Sequence, residues 1–297
     1  MKTSPSLKQL YYLMKLHETK NFRQAAELCY VTQPTLSAAI QEMENLLGLP
    51  VLDRSQRKKV IFTSFGLEVV KTAKNVLPLV ENLSDKAKMM AHPLSGPLRI
   101  GFIPTIAPYL IPYMLPDLQK KFPKLEFEIT EDVTEQLIQK LHEGLIDLAI
   151  LAFPCNTMDL KKVILFEEPF YCAAPKNLFK KKKLEINDLK NQEVLLLEDG
   201  HCLREHAMSA CKLMNTHGQK SLSATSLQTL IQIVDQGYGI TLLPEMVVKK
   251  GFIPGTIDIH AFQEPVPTRK IGVAWRKKDP LEKDISVIID RLGAILS

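Results

Sequence analysis

No run in the 297 residues comes near the 18 consecutive apolar side chains that mark a membrane-crossing helix. The opening stretch MKTSPSLKQLYYLMKL has neither a continuous apolar run nor a small-residue cleavage site, so no secretory leader is expected. Cysteine is scarce: five residues, an odd number, with no CxxC pair. That argues against a secreted disulfide framework and against a thiolate zinc site. The expectation is a cytoplasmic protein without metal, cofactor or membrane partner. In a reducing compartment any disulfide is a signal rather than a staple.

What charge there is lies unevenly. The first 96 residues carry 13 Lys and Arg against 8 Asp and Glu, and the 25 of each that follow cancel, so the whole net charge of +5 sits in the first third. A polyanion-binding module would place it there. The run Lys180 to Lys183 reads as a solvated loop.

Within that basic third, Leu7, Leu10, Tyr11, Met14 and His17 recur at helical spacing. Asn21 can cap a second short helix, Phe22 to Leu28, whose Ala25 and Ala26 permit close packing. After Cys29, Tyr30 and Val31, a third helix opens at Thr32 or Gln33 with Pro34 in its first turn, and stops at Gly48. Two helices across a tight turn spell a helix-turn-helix. Short strands at residues 50–53 and 59–62 flank a basic tip, a wing whose Arg54, Arg57, Lys58 and Lys59 would meet backbone phosphates. Thr63 or Ser64 then caps a long helix to about Met90. Its seam of Val70, Ala73, Leu77, Val80, Ser84 and Ala87 suggests pairing of two chains, and Pro78 predicts a bend.

Beyond a turn-rich hinge at residues 91–97 the pattern alternates strand and helix: LRIGF, a helix from Ile106 to Phe122, LEFEIT, a helix from Glu135 to Glu143, DLAIL. A second such unit starts near Pro169 and runs through VLLLE, the Leu203 helix, LSATS, a helix from Leu227 to Gln236 and GITLLPE. The strand from Lys270 to Trp275 and the helix from Asp284 to Leu296 return to the first unit. This predicts an α/β domain with a parallel-rich sheet.

The stretch LEDGHCLREHAMSAC carries two thiols in different settings. Leu203, Ala207, Cys211 and Met214 share one helical face, so Cys202 falls at the helix N-terminus and Cys211 on the apolar face. Beside Arg204 and His201, the Cys202 thiol is expected to have a lowered pKa, the thiolate being the form that attacks peroxide. Cys211 is suited to resolve the sulfenic acid. Nine helical residues separate two Cα atoms by about 13.5 Å, whereas a disulfide needs them within roughly 7 Å. A bond between the two would therefore force the segment to unwind. Two cysteines on one short helix read equally well as core fillers.

The run NFRQAAELCYVTQPTLSAAIQEMENLLG closely resembles the N-terminal module of the LysR family of transcription regulators. GLIDLAIL and ATSLQTLIQIVDQGYGITLLPE resemble recurrent segments of that family's effector domain. GHCLREHAM, with a cysteine nine residues after its first, looks like the redox-active segment of the family's peroxide-sensing members. The resemblance implies a winged helix-turn-helix at 1–62, a linker helix at 63–92 for dimerisation, and a two-lobed, periplasmic-binding-protein-like regulatory domain. One lobe comprises 97–168 with 271–297, the other 169–270.

It further implies that Thr32, Gln33, Thr35 and Ser37 face the major groove while Arg23 meets a phosphate. Cys202 and Cys211 would be the redox pair, Arg204 would stabilise the thiolate, and Thr105, Thr134, His201 and Arg269 would gather at the peroxide. Taken singly, the two threonines read as helix caps and Arg269 as a surface ion pair. The function implied is activation of oxidative-stress genes by a homodimer or homotetramer on double-stranded promoter DNA, with RNA polymerase as a further partner. One alternative keeps the architecture but binds a small metabolite between the lobes. Another is a thiol peroxidase, which would need neither the helix-turn-helix nor the basic head.

Overall fold

A computed structural model describes residues 4–55, 59–198, 200, 202–210 and 223–296. The chain divides into two compact units, with the boundary after Ser84.

The head begins with α1 (Leu7–Thr19), α2 (Phe22–Leu28) and α3 (Gln33–Leu47). Side chains supply the helix starts. Ser6 and Gln9 form a reciprocal capping box, the Asn21 carboxamide accepts from the Arg23 and Gln24 amides, and Thr32 caps α3. Gly48, at φ 71°, ends α3 in the left-handed conformation glycine favours. Leu13, Leu16, Ala25, Ala26, Leu36, Ile40 and Met43 form the buried core. The wing strands β1 (Leu52–Asp53) and β2 (Ile61–Phe62) pair antiparallel. Thr63 accepts the Gly66 amide at the start of α4 (Ser64–Ala91), and a Cβ on Gly66 would overlap the Val51 carbonyl.

α4 continues as one helix from Ser64 to Ala91 with Pro78 inside it. Val70, Ala73 and Leu77 of the expected seam are buried, whereas Val80, Ser84 and Ala87 are exposed beside Leu79, Leu83 and Met90.

The second unit continues with β3 (Gly96–Phe102), α5 (Ala107–Lys121), β4 (Leu125–Glu131), α6 (Thr134–Glu143), β5 (Leu148–Phe153), β6 (Lys161–Pro175), β7 (Lys183–Leu184) and β8 (Val194–Leu197). It closes with α7 (Cys202–Ala210), β9 (Ser223–Ala224), α8 (Leu227–Asp235), β10 (Ile240–Pro244), α9 (Glu245–Lys250), β11 (Ile257–Phe262), β12 (Thr268–Trp275) and α10 (Glu282–Leu296). Strand order is β4-β3-β5-β12-β6-β10-β8-β9, with β11 pairing β6 and β7. β3 runs parallel to β4 and β5, and β8 parallel to β9 and β10, while β12 and β6 pair antiparallel with their neighbours. The sheet is therefore mixed rather than parallel-rich, because two long returning strands occupy its middle.

β6 is the shared spine. Lys161 to Pro169 pair with β12, Phe170 to Ala173 with β10, and Cys172 to Pro175 with β11. β5 is buried at all six positions, as a strand covered on both faces must be. α10 returns to α5, where Arg291 pairs with Asp117. Among the described residues no helix is long and apolar enough to cross a membrane.

Candidate functional site

Four side chains expected at the site from scattered positions converge at the start of α7. Cys202 is the first residue of that helix, half-buried. A narrow cleft beside it is lined by Ile103, Pro104, Thr105, Val133, Thr134, Gly200 and Leu203. Thr105 lies in the turn after β3 and Thr134 opens α6, each buried. Neither is a helix cap: the cap positions of α5 and α6 belong to Ile106 and Val133.

Arg269 is not a surface group. It is 2% exposed, and its guanidinium is fixed on three sides. Nε donates to Glu168 Oε1 at 2.7 Å, Nη1 donates to Thr105 Oγ1 at 3.0 Å, and Nη2 stands 2.6 Å from the same Glu168 oxygen. Glu168 in turn accepts the Met246 amide at 3.1 Å, tying the arginine to α9. A buried pair of this kind is sound only when its remaining donors and acceptors are met, as they are here.

The Thr105 oxygen takes the Arg269 hydrogen, which leaves its own hydroxyl hydrogen free to donate. The Thr134 hydroxyl is buried with no hydrogen-bond partner among the described residues. It is near enough to Cys202 to favour the charged form of that thiol.

The Cys202 thiol corrects the expectation of a lowered pKa. Burial pushes it up, and this outweighs the downward pull of the Thr134 hydroxyl and the Arg269 charge. The helix N-terminus is there as expected, but desolvation of a thiolate is the larger effect. The Arg204 guanidinium, expected at the thiol, donates to the Leu197 carbonyl at 3.2 Å. His201 and Cys211 lie outside the described residues.

Glu168, His206 and Cys155 also belong to this neighbourhood. His206 is buried, its Nε2 is 2.9 Å from the Pro154 carbonyl, and burial lowers its pKa. Cys155 follows Pro154 and feels the charge of Cys202, its own pKa pushed up to about 12 mainly by burial. The pleat of β6 turns Glu167 outward and Glu168 inward, a weak signal in FEEPF that a buried cation lies opposite. Cys29 is half-buried in the head and Cys172 fully buried in β6.

In the head, Gln33 and Ser37 share a groove of about 480 Å³ with Phe22, Asp53, Arg54 and Lys59. The Thr32 and Thr35 hydroxyls are 2.8 Å apart, satisfying one another at the helix start. Arg54 Nη2 reaches Glu44 at 2.7 Å, and the same carboxylate accepts the Val51 and Leu52 amides, so one residue of α3 anchors the wing. Arg23 pairs with Glu27 in full exposure, an interaction of little energetic weight that leaves the cation available. Lys59 is exposed. Arg57 and Lys58 lie outside the described residues.

A winged helix-turn-helix joined through a long helix to an α/β domain that encloses a buried thiol defines a DNA-binding transcription regulator rather than an enzyme. The particular family follows from comparison with known proteins. Residues 7–67 match the bacterial regulatory helix-turn-helix protein of the lysR family, and residues 91–296 match the LysR substrate binding domain. This chain belongs to the LysR family of transcriptional regulators.

Among curated relatives, the HTH-type transcriptional regulator EstR of Acinetobacter baylyi is 36% identical, over 99% of this chain and 98% of its own. The DNA-binding transcriptional dual regulator OxyR of Escherichia coli is 38% identical, over 97% of this chain and 95% of its own. Among solved structures, a cysteine-to-serine mutant of Corynebacterium glutamicum OxyR with hydrogen peroxide bound is 31% identical. It superposes at a TM-score of 0.66 over 100% of this chain and 94% of its own.

Proposed function

We propose that this regulator senses hydrogen peroxide at Cys202 and activates oxidative-stress genes. The observation that carries the reading is the convergence of Thr105, Thr134 and a clamped Arg269 on one thiol beside a narrow cleft. The relatedness to OxyR proteins supports the same assignment.

In this reading the Cys202 thiolate attacks one peroxide oxygen and the O–O bond breaks. The far oxygen leaves as hydroxide, its growing charge met by Arg269 and by the free hydrogens of Thr105 and Thr134. The sulfur becomes a sulfenic acid, which Cys211 resolves to a disulfide with loss of water. His201 is assigned to the peroxide site and Arg204 to support of the thiolate. Because α7 is helical from Cys202 to Ala210, the bond requires that helix to unwind.

Thr32, Gln33, Thr35 and Ser37 read base edges, and Arg23, Arg54, Arg57, Lys58 and Lys59 hold phosphates. The division into 1–62, 63–92, 97–168 with 271–297, and 169–270 belongs to this reading. So do cytoplasmic action, RNA polymerase contact and assembly as a homodimer or homotetramer. The exposed Leu79, Val80, Leu83 and Met90 on α4 are apolar surface suited to a second chain.

The test treats the reduced full chain with one equivalent of hydrogen peroxide and maps its thiols by peptide mass spectrometry. A rapid Cys202–Cys211 disulfide, absent in Cys202→Ser and accompanied by an altered DNA footprint, is expected. Thiols that stay reduced, or that all react at one slow rate, would return the chain to the metabolite-binding reading.

A further inference from the structure

Cys155 is a thiol that the peroxide chemistry above does not use, yet it lies beside it. It sits in the loop after β5, half-buried against the same apolar core as Cys202. The loop is pinned to α7 because the His206 ring touches the Pro154 carbonyl at 2.9 Å, one residue before Cys155. His206 is four residues after Cys202, one turn along the same helical face. The loop carrying one thiol is thus held within a helical turn of the residue carrying the other. The charge of Cys202 also acts on Cys155.

The histidine adds chemistry to the contact. A carbonyl only accepts, so Nε2 carries the hydrogen and Nδ1 carries a lone pair. Burial keeps the ring neutral, and Nδ1 is buried without a partner among the described residues. An acceptor is therefore held in place between the two cysteine-bearing elements.

We propose that Cys155 is a second resolving thiol for Cys202, forming a Cys155–Cys202 disulfide that retires the sulfenic acid without unwinding α7. The proposal rests on the reading of Cys202 as the peroxide-reactive thiol. The Cys155 sulfur attacks the Cys202 sulfenic sulfur, the S–O bond breaks, and the oxygen leaves as water with the proton from Cys155. Counted with the first step, one peroxide oxidises two thiols to one disulfide and yields two waters. The sulfenic sulfur is the electrophile that Cys155 needs, so the second thiol has a target only after the first has been oxidised. With its pKa near 12, Cys155 is slow at neutral pH, and the route acts where Cys211 has not.

The experiment uses full-length Cys211→Ser, treated with hydrogen peroxide with and without dimedone, followed by alkylation and peptide mass spectrometry. A Cys155–Cys202 disulfide is expected, forming about tenfold faster for each unit of pH raised between 7 and 9. Adding Cys155→Ala should replace the disulfide by a dimedone adduct on Cys202, and by sulfinic acid when dimedone is omitted. A dimedone adduct on Cys202 with Cys155 still alkylated as a free thiol in Cys211→Ser overturns the proposal and leaves the sensor reading standing. No adduct and no disulfide at Cys202 in any variant overturns both. Thermal melting of each variant, compared with the parent chain, identifies loss of fold, and His206→Gln tests the pinning contact by slowing the disulfide but not the dimedone adduct.

Discussion

Replacing Arg269 by leucine isolates the physics of the site. The Arg269 side chain is 0% exposed and that of Glu168 is 3%. The guanidinium donates to Glu168 at 2.7 Å and to Thr105 at 3.0 Å. Truncating one partner of a buried pair strands the other charge, at a cost of about 3–5 kcal/mol. For a domain of roughly 200 residues each kcal/mol moves the melting temperature by about 2–4 °C, so Arg269→Leu should melt roughly 6–20 °C lower.

The decisive comparison is Arg269→Leu with Glu168→Gln. The amide keeps an acceptor for the Met246 amide but carries no charge, so the double variant should recover most of the loss. Differential scanning calorimetry of the full chain, with the Glu168→Gln single variant closing the double-mutant cycle, measures the coupling directly. A melting temperature within 2 °C of the parent for Arg269→Leu, or a double variant no more stable than the single, would refute the argument.

The remaining expectations are narrower. Because burial holds the Cys202 thiol above its ordinary range, thiolate is the minor form at neutrality. Its oxidation rate should climb about tenfold per pH unit from pH 6 to 8, and a plateau by pH 7 in stopped-flow oxidation would contradict this. Thr134→Val removes a buried hydroxyl, unpartnered among the described residues, that can donate to the Cys202 thiolate once it forms. Losing a hydrogen bond to a charged group costs about 1.5–3 kcal/mol, so peroxide oxidation should slow at least tenfold with an unchanged fold, read by circular dichroism. Lys59→Ala should weaken DNA binding evenly across sequences and reduce the slope of log affinity against log salt by about one. Gln33→Ala should relax sequence preference with the slope unchanged. Fluorescence anisotropy titrations at several salt concentrations separate the two, and a slope change in Gln33→Ala would count against its place in the groove.

Local rules carried the sequence reading furthest in the head. A cap at Asn21, a cap and a proline opening α3, and a glycine closing it are decided by neighbouring backbone groups, so α2 was legible to the residue and α3 to within one position at its start. The long helix, the strand and helix alternation of the second unit and the placement of Cys202 at a helix start were legible for the same reason. Resemblance pointed to Thr105, Thr134 and Arg269, although nothing in their local spacing distinguishes them.

What tertiary structure decided is the environment of those groups. The charge state of Cys202 follows from the balance between desolvation and two distant donors, and only a folded chain brings residues 134 and 269 to position 202. The same holds for Glu168, which acquires its role from a strand partner 101 residues away. It holds equally for Cys155, a thiol outside any motif of the chain that comes within the influence of Cys202 only on folding. Sequence alone determined the elements and the chemistry available, because caps, turns and periodicity act over a few residues. Burial and the electrostatic interactions it strengthens act through space, and they exist only once the sheet has drawn its strands together.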